Sequence, residues 1–260
     1  VKLAVHGASG RMGLAIVRLA RAAGHEIVGG ACAPSDAAVG RDLGELAGVG
    51  PLGVVISPDV GSALLGAEVV IDFSTASAVP ALLGTAARQG VAVVSGTTGL
   101  DTAGESALER AAASVPVLWA PNTSLGVQVL AELVEQAVRR LGAGFDVEIL
   151  EVHHRKKIDA PSGTALRLAR AAKAGRAGLD EVHARDGNVG ARKDGELGVV
   201  ALRGGDVVGD HTVFLLGTGE RLELTHRASS RELFAQGALA AARFVCGKPP
   251  GRYVFKDVLA

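Results

Sequence analysis

The opening stretch of the chain confines it to a small set of folds. Residues 2–6 form a short apolar run that ends on the glycine turn Gly7-Ala8-Ser9-Gly10-Arg11-Met12-Gly13. Leu14, Ile16, Val17, Leu19 and Ala20 then recur at helical spacing up to Gly24, which reads as the helix stop. Residues 26–31 read as a second strand. Strand, glycine turn, helix and strand make one βαβ unit. Parallel crossovers of this kind place helices on the sheet faces and join them in a right-handed sense.

The alternation continues. Strands are expected over 69–73, 91–94 and 115–119, and helices over 79–89 and 105–113, with short polar turns after each strand. The pattern changes near Pro121-Asn122-Thr123-Ser124. A helix is expected over 127–141, a strand over 147–152 and a helix from about Ser162. A long polar loop should span 175–196, followed by strands over 197–202, 206–216 and 221–226. Gly204-Gly205 and Gly217-Thr218-Gly219 supply the turns between them. A last helix over 233–245 should return to the first domain. The expected class is α/β: a Rossmann-type doubly wound parallel sheet over 1–124, completed by 231–260, and a second α+β domain with an open mixed sheet over 125–230.

Composition narrows the function classes. The chain has 260 residues, 48% of them hydrophobic, enough for two modest domains with buried cores. Lys plus Arg and Asp plus Glu both number 27, so the formal net charge is zero, which speaks against a nucleic-acid partner. The two cysteines, Cys32 and Cys246, form no metal or redox spacing and fit a reducing, cytoplasmic setting. No apolar run approaches the roughly 20 residues of a bilayer span, and the start of the chain has no signal-peptide core, so no membrane partner is expected.

Two segments carry chemistry. The first is the glycine turn, with spacing G-x-x-G-x-x-G at a helix start. Such a turn lets backbone N–H groups approach a pyrophosphate with no Cβ in the way. A glycine turn that serves only close packing is the alternative. Gly96-Thr97-Thr98, after a parallel strand, lies where a nicotinamide ring is expected, and both threonines can donate to its amide. They can equally be an ordinary strand-to-loop turn.

The second segment is Glu148-Ile149-Leu150-Glu151-Val152-His153-His154-Arg155-Lys156-Lys157-Ile158-Asp159-Ala160-Pro161-Ser162-Gly163-Thr164-Ala165. Basic groups gather at a strand end, directly before a helix start that carries Ser162, Gly163 and Thr164. A helix start offers free N–H groups and a positive dipole end to an anion such as a carboxylate. His154 and Lys157 can add donors and charge, and a histidine can shuttle a proton near neutral pH. A solvated basic face or a nucleic-acid patch is the alternative. His153 and His154 point to opposite faces of a strand and have no third ligand in view, so no metal site is expected.

The run E-x-x-E-x-H-H-x-x-K-x-D-A-P-S-G-T-A resembles the signature of the 4-hydroxy-tetrahydrodipicolinate reductase (dihydrodipicolinate reductase) family. Asp72-Phe73-Ser74, Gly96-Thr97-Thr98-Gly99, Ala120-Pro121-Asn122-Thr123-Ser124, Arg203-Gly204-Gly205-Asp206, Gly209-Asp210-His211-Thr212 and His226-Arg227-Ala228-Ser229-Ser230-Arg231 match that family in order over nearly the whole chain.

The resemblance implies hydride transfer from NADH or NADPH to a cyclic, unsaturated imine dicarboxylate in diaminopimelate and lysine biosynthesis, by a homotetramer built through substrate-domain sheets. It implies His153 as proton donor and Lys157 as the second catalytic residue. It places His154, Lys157, Ser162, Gly163 and Thr164 at the substrate. It places Gly7, Ala8, Ser9, Gly10, Arg11, Met12, Gly96, Thr97, Thr98, Ala120, Pro121, Asn122 and Thr123 at the cofactor. A different two-domain nicotinamide enzyme of amino-acid metabolism, such as an aspartate or homoserine dehydrogenase, is the competing enzyme class. A nucleotide-sensing regulator or a nucleic-acid binder that uses the basic run is the non-enzymatic one.

One departure is specific to this chain. Ala33-Pro34 stand where many members carry an acid that binds the adenosine ribose. Use of both NADH and NADPH is therefore expected, with Arg11 the visible cation for a 2′-phosphate. The opposing outcome is a bend at Pro34 that returns the Asp36 carboxylate to the ribose.

Overall fold

The computed structural model describes residues 1–260, which divide into two compact units: 1–124 with 232–260, and 125–231. The first unit opens with β1 (Lys2–His6), α1 (Arg11–Ala22), β2 (Glu26–Ala31), α2 (Leu43–Ala47), β3 (Ile56–Ser57) and α3 (Val60–Ala63). It continues with β4 (Val69–Asp72), α4 (Val79–Gln89), β5 (Ala92–Ser95), α5 (Thr102–Ala112) and β6 (Pro116–Trp119).

The second unit contains α6 (Leu125–Leu141), β7 (Asp146–His153), α7 (Gly163–Gly175), β8 (Asp180–Val182), β9 (Glu196–Arg203), β10 (Gly209–Leu216) and β11 (Arg221–Ala228). The chain then supplies α8 (Glu232–Val245) and β12 (Gly251–Tyr253) to the first unit.

The seven strands of the first unit run parallel in the order β12-β6-β5-β4-β1-β2-β3. Buried on both faces, they read as near-continuous apolar runs. Ala4, Val70, Val93 and Val117 pack with Leu82 and Leu83 of α4 and Leu108 of α5. Side chains alternate along a strand, so Val5, Ile71, Val94 and Leu118 face the opposite layer, where α1 packs beside α8. Strand order reverses between β1 and β4, and their carboxyl ends form the switch point at which doubly wound sheets take ligands.

The second unit is a five-stranded mixed sheet in the order β11-β10-β7-β9-β8. Burial along β7 alternates strictly: Val147, Ile149, Glu151 and His153 are buried and their neighbours partly exposed. Val147 and Ile149 join Leu130 and Val134 of α6 and Leu168 of α7 in one apolar core. The other face carries Leu150, Val152, Phe214 and the exposed Val200 and Leu202.

Two local expectations are corrected. Gly204-Gly205 does not close a hairpin, because β7 lies between β9 and β10 and pairs with both. Gly217-Thr218-Gly219 does turn between paired neighbours, β10 and β11. The loop expected over 175–196 contains β8, a three-residue edge strand whose register comes from parallel pairing with β9. Too short to show a period, it is specified by its neighbour and not by its own residues.

Candidate active site

In the first unit, the turn after β1 folds onto β2: the N–H groups of Gly7 and Ala8 both donate to the Ala31 carbonyl at 2.9 Å. Gly7 has φ +77°, and a Cβ there would lie 2.5 Å from the Phe73 carbonyl oxygen, so the turn requires glycine. Gly10 caps α1 with no side-chain bond, and no acid stands in the first helical turn. The helix start is thus available to an anionic group, a cradle that a side chain at Gly7 would destroy. Gly10 and Arg11 are exposed, Ser9 and Met12 partly so, and Ala8 is buried.

Beneath this turn lies a buried polar network. Asp72, fully buried at the end of β4, accepts from His6 Nδ1 at 2.8 Å, Ser95 Oγ at 2.6 Å and Thr97 Oγ1 at 2.8 Å. Burial raises the Asp72 carboxyl, and the His6 and hydroxyl bonds outweigh it, leaving it below the usual carboxylate value. Thr97 also accepts from the Ser74 N–H, so its hydroxyl is spent within the fold. Thr98 is exposed. Thr123 is buried and donates to the Phe234 carbonyl at 2.7 Å, Ala120 is buried, Asn122 accepts from the Ser124 N–H, and Pro121 is exposed.

After β2, Ala33 and Pro34 are exposed, and the chain turns so that the Asp36 N–H donates to the Ala33 carbonyl. The Asp36 carboxylate then accepts from Ser9 Oγ at 2.6 Å and the Ala38 N–H at 2.8 Å. The Ser9 bond, then the Ala38 bond, holds this carboxyl below its ordinary value.

In the second unit, the centre is Glu151, fully buried on β7. Arg203 clamps it through two nitrogens at 2.7 and 2.8 Å, the Ser162 N–H donates at 2.9 Å, and His153 Nδ1 lies 2.5 Å away. Burial raises the Glu151 carboxyl, and the Arg203 and His153 bonds more than reverse this. For His153, burial lowers the imidazole, Glu151 opposes, and Lys157 and Arg203 add to the lowering. The net direction is down. Ser162 caps α7 by accepting from the Ala165 N–H at 3.1 Å, and its Oγ lies 3.0 Å from His211 Nε2. His211 is buried edge-on to the His153 ring at 5.1 Å.

The remaining candidates surround this centre. Gly163 is exposed at the first helical position with open space where a Cβ would stand, and Thr164 follows, partly exposed. Lys157 Nζ pairs with Asp159 at 2.8 Å. His154 leaves the strand, its Nε2 accepting from Arg231 at 3.2 Å. The loop thus gathers His153, Lys157 and the α7 start around one buried acid. Glu151, Arg203 and His211 lie inside the segments that carry the family resemblance, and residue type alone assigns them no role. The available signal for Glu151 was its i, i+2 spacing to His153, which puts both side chains on one strand face.

Comparison with known proteins decides the family. Residues 1–123 match the family described as "Dihydrodipicolinate reductase, N-terminus" and residues 126–259 the one described as "Dihydrodipicolinate reductase, C-terminus". The chain belongs to the dihydrodipicolinate reductase family.

A protein named 4-hydroxy-tetrahydrodipicolinate reductase from Anaeromyxobacter sp. (strain Fw109-5) is 51% identical, covering 100% of this chain and 97% of its own. One of the same name from Myxococcus xanthus (strain DK1622) is 47% identical with the same coverage. The solved dipicolinate-bound dihydrodipicolinate reductase from Paenisporosarcina sp. TG-14 has TM-score 0.79 at 21% identity, covering 100% of this chain and 99% of that one, and shows the shared fold. An amine dehydrogenase from Mycobacterium smegmatis shares the fold with TM-score 0.68 at 14% identity, covering 99% of this chain and 95% of that one. Dihydrodipicolinate reductases are oxidoreductases, and the family together with the doubly wound first unit implies a nicotinamide cofactor. No helix is long and apolar enough to cross a membrane.

Proposed function

We propose that this dihydrodipicolinate reductase reduces 4-hydroxy-tetrahydrodipicolinate to tetrahydrodipicolinate with NADH or NADPH, in diaminopimelate and lysine biosynthesis. The observation that carries the reading is the His153–Glu151 pair beside the α7 start, because this reduction needs a proton donor next to a carboxylate site. The 4-hydroxy substrate loses water to give the dihydro ring, which then takes up one hydride and one proton. The reduced nicotinamide supplies the hydride.

The chain's own groups do the rest. The Gly163 and Thr164 N–H groups at the α7 start receive one substrate carboxylate, and Lys157 and His154 supply charge and a donor to the ring's anionic groups. His153 gives the proton that quenches the charge left by hydride addition. Lys157 stabilises that charge while it develops. In the first unit, the glycine turn and α1 start hold the pyrophosphate, and the 96–98 and 120–123 turns border the nicotinamide.

The position of Asp36 supports NADH over NADPH. An ionised carboxylate beside Ser9 accepts from ribose hydroxyls and repels a 2′-phosphate. The near-equal use expected from Ala33-Pro34 gives way in this reading to a displaced acid.

The exposed Val200 and Leu202, beside Leu150, Val152 and Phe214, support assembly through the open face of the second sheet, read here as a homotetramer. Leu202→Asp should then lower the mass seen by light scattering, and an unchanged mass would remove this face from the assembly.

The function is tested by coupled turnover. The condensation product of pyruvate and aspartate semialdehyde, formed by a synthase, should make nicotinamide absorbance fall when this protein is added. Oxidation of amines or of homoserine with no turnover of that product would instead point to another dehydrogenase class.

A further inference from the structure

His153 can act through either ring nitrogen, and the surroundings differ sharply between them. An ionised carboxylate is acceptor-only, so the ring nitrogen facing Glu151 must carry the hydrogen. Nδ1–H therefore donates, and Nε2 is left as the atom whose protonation changes. On that side stands Gly209 of β10, where a Cβ would lie 2.9 Å from Nε2. Glu151 itself cannot turn away, because Arg203 clamps it with two nitrogens and Arg203 in turn donates to the Asp159 carbonyl at 2.7 Å.

We propose that Glu151 is the positioning residue for the proton transfer: it holds the His153 ring by Nδ1 so that Nε2 delivers the proton, and Arg203 keeps it in place. This rests on the reading of His153 as proton donor. The charged and titratable groups around the ring are Glu151 on its own strand, Lys157 on the following loop, Arg203 from β9 and His211 from β10. Glu151 is the one acid of this set. It opposes the burial and the two cations that drive the imidazolium to lose its proton. A general acid works while protonated, so its activity is lost as pH rises through its pKa. Removing Glu151 must move that alkaline limb to lower pH.

Two measurements test this. Nitrogen-15 NMR of the histidine rings in the intact wild-type protein should show neutral His153 as the Nδ1–H tautomer. Glu151→Gln should shift the alkaline limb of kcat/KM to lower pH and reduce kcat by at least about tenfold, with dinucleotide affinity near wild type. An Nε2–H tautomer in the wild type overturns the proposal without any variant. So does a Glu151→Gln enzyme that is slower but keeps its alkaline limb, because that is what a merely structural acid would give. The tautomer needs no turnover, so it separates this inference from the donor role, which fails on its own if His153→Gln retains the alkaline limb.

Discussion

Each unit buries one carboxylate at or near the end of a strand and binds a histidine to it through Nδ1: Asp72 with His6 in the first, Glu151 with His153 in the second. The remaining partners differ. Asp72 takes the hydroxyls of Ser95 and Thr97 and the Ser74 N–H, so its network closes on the turns after β4 and β5. Glu151 takes Arg203 and the Ser162 N–H, and its histidine turns Nε2 toward Gly209 of β10, while Gly163 at the start of α7 is exposed. The first network ties down backbone turns, and the second holds side chains in place. The partner set therefore distinguishes two similar acid–histidine pairs better than the pair does.

The largest expected effect breaks the two apart. His153→Gln should lower kcat by roughly 10²–10⁴-fold, the range of a lost general acid, whereas His154→Gln should act mainly on KM. His6→Gln should leave kcat within a few-fold and instead cost about 1–3 kcal/mol of stability, because Asp72 loses a buried partner. Steady-state kinetics and thermal melts on the three variants check this. A His6→Gln enzyme as slow as His153→Gln would mean that the first network is also catalytic.

Acid separates the units by a smaller amount. Burial, followed by the neighbouring His153, lowers His211 to about 4 from 6.5. Its folded pKa is depressed, so the stability it contributes is present above 6.5 and is lost as pH falls through about 4. The full loss is on the order of 3 kcal/mol. Burial also lowers His153 and His226 in the second unit, while the first has only His25 shifted this way. Hydrogen exchange between pH 7 and 5 should therefore show protection falling earlier in β7 and β10 than in β1 and β4. His211→Asn should flatten the difference. Equal loss in both units would show that the buried histidines of the second sheet do not govern its acid response.

The two units were also unequally legible. The parallel sheet is legible because β1, β4, β5 and β6 are near-continuous apolar runs, each followed by a turn. The pieces that escaped notice were β3, β8 and β12, two or three residues each at sheet edges, along with the short helices α2 and α3. None is long enough to show a period; the three strands take their conformation from a neighbour, while α2 and α3 are set by their own caps, Asp42 and Asp59. In the second unit the site loop was legible as a string of residue types, but its wiring was not. His211 meets Ser162 and His153 only because β10 pairs antiparallel with β7, and Arg203 reaches Glu151 only because β9 pairs with β7 on the other side. Sequence gives the donors; which of them share a buried acid depends on strand order.

The smallest effect concerns the one side chain by which the first unit is read as selecting its ligand. In the proposed reading the glycine turn offers backbone N–H groups, which would treat NADH and NADPH alike up to the ribose. Asp36 is different, because the turn after Pro34 places its carboxylate on Ser9 of the glycine turn, and that bond holds the carboxyl below its ordinary value. It should favour NADH over NADPH by roughly tenfold, the value of one charge-assisted hydrogen bond gained or one repulsion avoided. Asp36→Ala should bring the two affinities together, mainly by admitting NADPH. Ser9→Ala should do so in part, because the carboxylate then loses its anchor but not its charge. Fluorescence titration of both dinucleotides against the three proteins, with no substrate present, reads this directly. Equal wild-type affinities, unchanged in Asp36→Ala, would show that the acid does not reach the ribose, and selection would then fall to a cation such as Arg11 at the exposed start of α1.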